Sequence, residues 1–247
     1  MTPPARALLV PAAGRGSRLG SSIPKALVAV NGRPMLAWLG DLYAPYVQQM
    51  VVIASPEGAA DIAGCARELP VRTAVVQQAR PTGMLDAILV GLAALTDARP
   101  ERVWVTWCDQ VAVHPDTARR LAATEHDSDL TLPVVARDTP YIHFDRDTQQ
   151  RIVAVRQRRE GDSMPEVGES DMGLFSLSAG AAFEALVRFA AAAAPAGPTG
   201  ERNFLPFIPW MAQRGIVRTF AAAHAMEAVG INTREELAAV SAWLREA

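Results

Sequence analysis

The sequence predicts an α/β fold, a mostly parallel central sheet with helices on both faces and a small antiparallel extension. Three observations carry this reading. Short apolar runs alternate with amphipathic helical stretches from residue 6 to residue 109, the pattern of consecutive strand–helix–strand units. From about residue 125 onward, strand-like runs follow one another with only short connections, which suits antiparallel pairing. Half of the 247 residues are apolar and 20% are charged, the balance of a globular chain with a buried core.

The elements follow in order. "RALLVPAA" (6–13) reads as a buried strand that runs into a Gly/Ser/Arg loop ending near Pro24. Pro34 opens a helix with Met35, Leu36, Leu39 and Leu42 at helical spacing. Residues 49–55 form a second strand, 58–68 a helix, 71–77 a third strand and 83–95 a strong apolar helix. "RVWVTWCD" (102–109) is a fourth strand that ends on an acid. Ligands of such sheets bind at the carboxyl ends of the strands, so Asp109 is well placed for chemistry. Strands at 129–136, 151–157 and 172–178 make the antiparallel part, where a second substrate would find a wall. An alanine-rich helix starts near Ala179 and breaks at "PAGPTG" (195–200); a helix at 203–214, a strand at 216–222 and a helix from about 233 follow. No internal repeat divides the chain, so 1–247 is expected to be one domain, with a nucleotide-binding half (1–125) and an acceptor-binding half (126–247).

Formal net charge is −2 and the isoelectric point is near 6.1, which gives no global basic surface for nucleic acid. An anionic small ligand would need a local cationic site. Cys65 and Cys108 have no CxxC spacing, so neither a disulfide framework nor a zinc site is expected. The apolar run 7–13 is shorter than a secretory leader's core, and no later stretch reaches 18 apolar residues. A cytoplasmic location without membrane contact is expected. The four histidines, His114, His126, His143 and His224, have no relay or ligand spacing and read as structural or surface residues.

Against that background one cation stands out. Of 24 lysines and arginines, 23 are arginine, and the single lysine is Lys25 in "GSSIPKAL". It follows a glycine loop, "PAAGRGSRLGSSIPKAL", whose Gly14 and Gly16 allow a sharp turn and let backbone N–H groups face an anion. The dinucleotide pattern GxGxxG/A fails at Leu19, and the Walker pattern fails because Lys25 lies between proline and alanine. Arginine forks onto phosphate oxygens, whereas lysine brings a compact charge to a crowded point.

The stretch "LLVPAAGRGSRLGSSIPKALVAVNGRPML", with its G-x-G-x-R-L…P-K…G-x-P-M frame, resembles the opening signature of the sugar-phosphate nucleotidyltransferase family (MobA-like NTP transferases). It is most similar to the uridylyltransferase domain of bacterial N-acetylglucosamine-1-phosphate uridylyltransferases. The likeness is close over about 6–40, traceable to about 110 and patchy over 150–240. It implies a Rossmann-like, nucleotide-diphospho-sugar transferase-like fold and transfer of an NMP group from an NTP to a phosphorylated acceptor, a sugar 1-phosphate, with release of pyrophosphate. It further implies Mg2+ as cofactor and UTP, CTP or dTTP as the favoured donor.

Carried over residue by residue, Ala12, Ala13, Gly14, Arg15 and Gly16 match the nucleotide-holding loop, with Arg18 on the triphosphate and Lys25 as the catalytic cation. Gln78 and Gly83 in "QQARPTGMLDAI" match the segment that reads the base; because a glutamine amide can flip, Gln78 alone does not separate uracil from cytosine. Asp109 and Asn232 match the two metal ligands, and Asn232 followed by Glu235 is equally a helix-capping pair. On the acceptor side the chain departs from the uridylyltransferases: Gln157 stands in place of their glutamate and Asp171 in place of their asparagine, while Glu169 and Gly173 keep their places. Arg158 matches a cation for the acceptor's phosphate. On an alternating strand Arg156 and Arg158 share a face and Gln157 takes the other. Two alternatives stay open: cytidylyl or guanylyl transfer to a non-sugar phosphate or phosphonate, and a nucleotide-binding sensor without turnover.

Overall fold

The computed structural model describes residues 4–14, 16, 19–95, 100–196 and 200–246. The chain begins with strand β1 (Arg6–Ala12), a loop with a 3-10 turn at Lys25–Leu27, and a tight ribbon of β2 (Ala29–Val30) and β3 (Arg33–Pro34). Then come α1 (Met35–Tyr43), β4 (Gln49–Ala54), α2 (Ala59–Ala66), β5 (Arg72–Gln77), α3 (Met84–Ala93), β6 (Arg102–Thr106) and α4 (Pro115–Thr124). The second half runs β7 (Leu130–Asp138), β8 (Ile142–Arg146), β9 (Ile152–Gln157), β10 (Val167–Asp171), β11 (Leu174–Ser178), α5 (Ala181–Ala192), α6 (Phe207–Ala212), β12 (Val217–Ala221) and α7 (Arg234–Glu246).

Eight strands form one mixed sheet in the order β10-β7-β11-β6-β1-β4-β5, with β12 also pairing, parallel, with β7. β6, β1, β4 and β5 are parallel, whereas β11 enters antiparallel between β6 and β7. The period of two splits each central strand between two cores. Leu8, Val10, Met50, Val52 and Trp104 face one of them, covered by α1, α2, α4 and α7. Leu9, Val51, Ile53, Val103 and Val105 face the other, covered by α3, α5 and α6. Helices therefore cover both faces, as the alternation predicts.

The antiparallel part consists of β7, β10 and β11, which continue the main sheet beyond β6. The strand expected at 151–157 instead pairs with β8 in a separate two-stranded sheet packed near α6. The helix expected at 203–214 shortens to Phe207–Ala212. Part of the "PAGPTG" loop, 197–199, lies outside the described residues.

At the amino edge of the sheet sits a buried ion cluster. Glu125, fully buried, accepts from Arg6 Nε at 2.6 Å, from Trp104 Nε1 at 2.7 Å and from the Ser176 hydroxyl, with Arg102 Nε 3.7 Å away. Arg6 opens β1 and Arg102 opens β6, so the cluster ties the starts of neighbouring strands to the end of α4.

Candidate nucleotide-binding and catalytic site

β1 and β6 are adjacent and parallel, so the glycine loop after Ala12 and the Trp107–Asp109 segment after Thr106 leave the sheet side by side at its carboxyl edge. Lys25 arrives there on its 3-10 turn, which is closed by Leu27 N–H donating to Pro24 O at 2.9 Å and Val28 N–H to Lys25 O at 3.1 Å. Pro24 leans on Gly58, where a Cβ would come within 2.8 Å of the proline ring. Gly16, with φ +61°, lies against the lysine stem: a Cβ there would be 3.2 Å from Lys25 Cβ. Gly14 lies in open space, with nothing within 4 Å of a Cβ position. Arg15 and Arg18 lie outside the described residues.

Lys25, Asp109 and Asn232 come together. Lys25 Nζ donates to Asp109 Oδ2 in a close ion pair and to Asn232 Oδ1 at 2.8 Å. Asn232 reaches this point on a strap, residues 224–232, that runs over Asp109. Ile231 N–H donates to Asp109 O at 3.2 Å, and a Cβ on Gly230 would lie 3.4 Å from Asp109 Oδ2. The strap is fastened by two residues that the sequence reading did not single out. Gln110 donates from Nε2 to Glu227 O at 2.5 Å, and the fully buried Glu227 carboxylate accepts from the backbone N–H of His114 and of His224, each at 2.9 Å.

The capping pair at α7 differs from the one expected. Thr233 is the cap, its Oγ1 accepting from Glu236 N–H at 3.2 Å while Glu236 Oε2 accepts from Thr233 N–H at 2.8 Å and Asn232 N–H at 2.7 Å. Asn232 and Glu235 are thus not the capping pair. The Asn232 side chain turns instead to Lys25, with Nδ2 donating to Gly230 O at 3.1 Å.

A carboxylate oxygen and an amide oxygen that converge on a cationic nitrogen are the donors a hard divalent ion takes, together with phosphate oxygens and water. Asp109 and Asn232 therefore fit Mg2+. Among the described residues no group of three or more His, Cys, Asp or Glu forms a metal cage, so such an ion would depend on a ligand for its remaining bonds. Next to Asp109, burial pushes the Cys108 thiol up to about 12, which keeps it neutral and inert.

Gln78 is buried rather than part of a surface loop, and its Nε2 donates to Gly83 O at 3.1 Å and Thr82 Oγ1 at 3.3 Å. A carbonyl only accepts, so the amide orientation is fixed with the NH2 toward Gly83 and Oε1 elsewhere. Gly83, with φ +116°, is required by the chain itself, since a Cβ would stand 2.5 Å from Arg202 O and 2.6 Å from Arg202 N. Gly83→Ala is expected to lower stability by about 1–3 kcal/mol, the scale of an overpacked site. Gly14→Ala, with open space around it, should leave the denaturant midpoint unchanged.

The acceptor-side residues divide. Asp171 and Gly173 lie beside the centre: Asp171 Oδ2 accepts from Gly173 N–H at 2.9 Å, and Trp107 N–H donates to Gly173 O at 3.2 Å, two residues before Asp109. Gln157 is buried, with Oε1 accepting from Asn203 Nδ2; Asn203 Oδ1 is in turn held by Leu205 N–H at 3.0 Å. Asn203 follows Arg202, so Gln157 is connected through one segment to Gly83 and Gln78. Glu169 pairs instead with Arg146 Nε at 3.0 Å, and Arg158 donates to the carbonyl oxygen of Pro140 at 3.3 Å. Arg156 and Arg158 do not share a strand face, because β9 ends at Gln157 and Arg158 enters a 3-10 turn; Arg156 pairs with Asp145 at 2.7 Å.

Burial raises the Asp171 carboxyl from 3.8 to about 6, opposed by the Gly173 N–H bond. An acid raised in the folded state binds protons that the unfolded chain has already released, so this group makes stability fall as pH rises from about 4 to about 6. Asp171→Asn should remove that fall, seen as a flatter plot of unfolding midpoint against pH over this window.

A mostly parallel sheet with a glycine loop, a lysine and an Asp/Asn oxygen pair gathered at its carboxyl edge defines a nucleotide-binding α/β domain. The chain belongs to the MobA-like NTP transferase domain family, which it matches over residues 8–170. It is 27% identical over 245 residues to the bifunctional protein GlmU of Pelotomaculum thermopropionicum, covering 97% of this chain and 52% of that protein. To bifunctional protein GlmU of Halorhodospira halophila it is 30% identical over 236 residues, covering 95% and 48%. The chain thus spans about half the length of these relatives. The crystal structure of HddC from Yersinia pseudotuberculosis superposes with a TM-score of 0.69 at 18% identity, covering 96% of this chain and 99% of that one, a likeness of fold. Among the described residues no helix is long and apolar enough to cross a membrane.

Proposed function

We propose that this chain is a Mg2+-dependent nucleotidyltransferase that transfers an NMP group from an NTP to a phosphorylated acceptor, a sugar 1-phosphate, and releases pyrophosphate. The observation that carries the reading is the meeting of Lys25, Asp109 and Asn232 at the carboxyl edge of the sheet, from positions 84 and 207 residues away from the lysine. Such a transfer needs in-line positioning and neutralised charge more than it needs a base, because the attacking phosphate oxygen is already anionic. Loop residues 12–16 would present N–H groups to the phosphates, Arg18 would hold the leaving pyrophosphate, and Lys25 would neutralise charge near the α-phosphorus. Asp109 and Asn232 would hold the ion, which when bound supplies charge neutralisation for the triphosphate. Gln78 and Gly83 would border the base of a UTP, CTP or dTTP donor. Gln157, Asp171 and Gly173 would face the acceptor, with Arg158 and Glu169 at its outer rim.

The test is a panel of NTPs crossed with sugar 1-phosphates, with pyrophosphate release measured and products identified by mass. An NDP-sugar formed by the wild type and absent from Asp109→Ala supports the reading. Transfer only to a non-sugar phosphate would keep the chemistry and change the acceptor. Tight nucleotide binding with no pyrophosphate from any pair would favour a sensor.

A further inference from the structure

The one lysine of the chain holds the two oxygens assigned above to a divalent ion. Its ammonium touches Asp109 Oδ2 and lies 2.8 Å from Asn232 Oδ1, and the lysine and aspartate side chains keep only 12% and 13% of their exposure. The ammonium stands at the point where these two oxygens converge, and a divalent cation brought to the same point would be repelled strongly in a partly buried place. The lysine head is a compact charge on a flexible stem. Its root is fixed by the Pro24–Gly58 contact and by Gly16 against Cβ, so relief can come from swinging the head rather than from moving the chain.

We propose that Lys25 occupies the cation site of the resting chain and that its ammonium must move from Asp109 and Asn232 onto triphosphate oxygens for the metal to enter. This rests on the nucleotidyltransferase reading. Metal alone then meets a competitor that keeps its own two partners, whereas metal arriving with a triphosphate brings the lysine a new one. The two ligands are positively coupled, and the coupling is reciprocal. Removing the ammonium has opposite effects on them: metal alone binds more tightly, and the nucleotide binds more weakly. A lysine that only braced the fold would not separate the two in sign.

The experiment compares wild type, Lys25→Met and Asp109→Ala. Binding of Mn2+ without nucleotide is followed by the electron paramagnetic resonance signal of the free ion, and binding of NTPs by thermal stabilisation. Lys25→Met should bind Mn2+ about tenfold more tightly than wild type, within the usual range of coupling between linked ligands, and respond less to nucleotide. Asp109→Ala should lose the Mn2+ site. Because the chain has a single lysine, 13C-lysine labelling also gives one side-chain Cε signal in the unmodified protein. That signal should stay in place with millimolar Mg2+ and shift when NTP is added.

Mn2+ affinity in Lys25→Met equal to or below that of wild type overturns the proposal, as does an unmoved lysine signal when nucleotide and Mg2+ stabilise the protein. In both cases the nucleotide response stands, so the reading beneath survives. If no NTP stabilises any variant, that reading fails instead, and the Mn2+ comparison still decides whether lysine and metal compete. Should Lys25→Met fail to fold, the labelled wild type decides alone.

Discussion

Lys25→Arg, although it keeps the charge, is expected to lose at least roughly 100-fold in turnover, the scale of removing one transition-state stabiliser. A point charge fits between Asp109 Oδ2 and Asn232 Oδ1, which approach the same nitrogen. A guanidinium is planar, wider and always a fork, and Gly16 lies against the base of the side chain, where a Cβ would be 3.2 Å from Lys25 Cβ. The arginine variant would remain folded and hold Asp109 more rigidly, so KM for nucleotide should rise as kcat falls. Steady-state kinetics with the best donor and acceptor pair provides the check. An active Lys25→Arg enzyme would contradict this role for the lysine while leaving the family untouched.

The largest stability effect is expected at Glu125. Removing the carboxylate in Glu125→Ala leaves the buried Arg6 with the Ala122 carbonyl but without its counter-charge, leaves Arg102 with one partner fewer, and strips the acceptor from Trp104 and Ser176. Breaking a buried pair by deleting one member costs about 3–5 kcal/mol, a large share of a typical domain's stability of about 5–15 kcal/mol. The cluster lies at the start of β1, whose seven residues put it about 20 Å from the glycine loop. Urea denaturation should therefore show a much lower midpoint with an unchanged slope, while activity well below the melting temperature persists. Loss of activity in a fully folded Glu125→Ala protein would mean that the two edges of the sheet are coupled.

Much of this was legible in the sequence, for identifiable reasons. The central parallel strands β1, β4 and β6 were readable because they are buried on both faces and written in apolar runs, as in "QMVVIA". Lys25 and Asp109 were readable because one is the sole lysine and the other ends an apolar strand. Other elements are made by their surroundings. β10, "VGESD", has little strand propensity of its own and exists because β7 pairs with it from Asp138 to Val134. α4, "PDTARRLAAT", was missed because only Thr117, Ala118 and Leu121 are buried and its polar face dominates the local pattern.

In the site, the sequence suggested two roles for Asn232 and packing separated them: Thr233 and Glu236 cap α7, which turns the asparagine toward the lysine. The alternation argument for Arg156 and Arg158 failed because a strand's period holds only while the strand continues, and β9 stops between them. Gln110 carries no local signal, and Glu227 shows only its i, i+3 capping spacing from His224. Their importance comes from the bonds that fasten the strap to the 110–114 segment, a tertiary fact.

The measurement that tests the central claim most directly is thermal stabilisation of the wild type and Asp109→Ala by ATP, GTP, CTP, UTP and dTTP, each with Mg2+. A ligand at 100 times its dissociation constant adds about 2.7 kcal/mol, a readily visible shift. One pyrimidine nucleotide is expected to stabilise the wild type selectively, with the effect reduced in Asp109→Ala. No response to any of the five, or an equal response in the variant, would contradict the assignment of Lys25, Asp109 and Asn232 to a nucleotide and metal site.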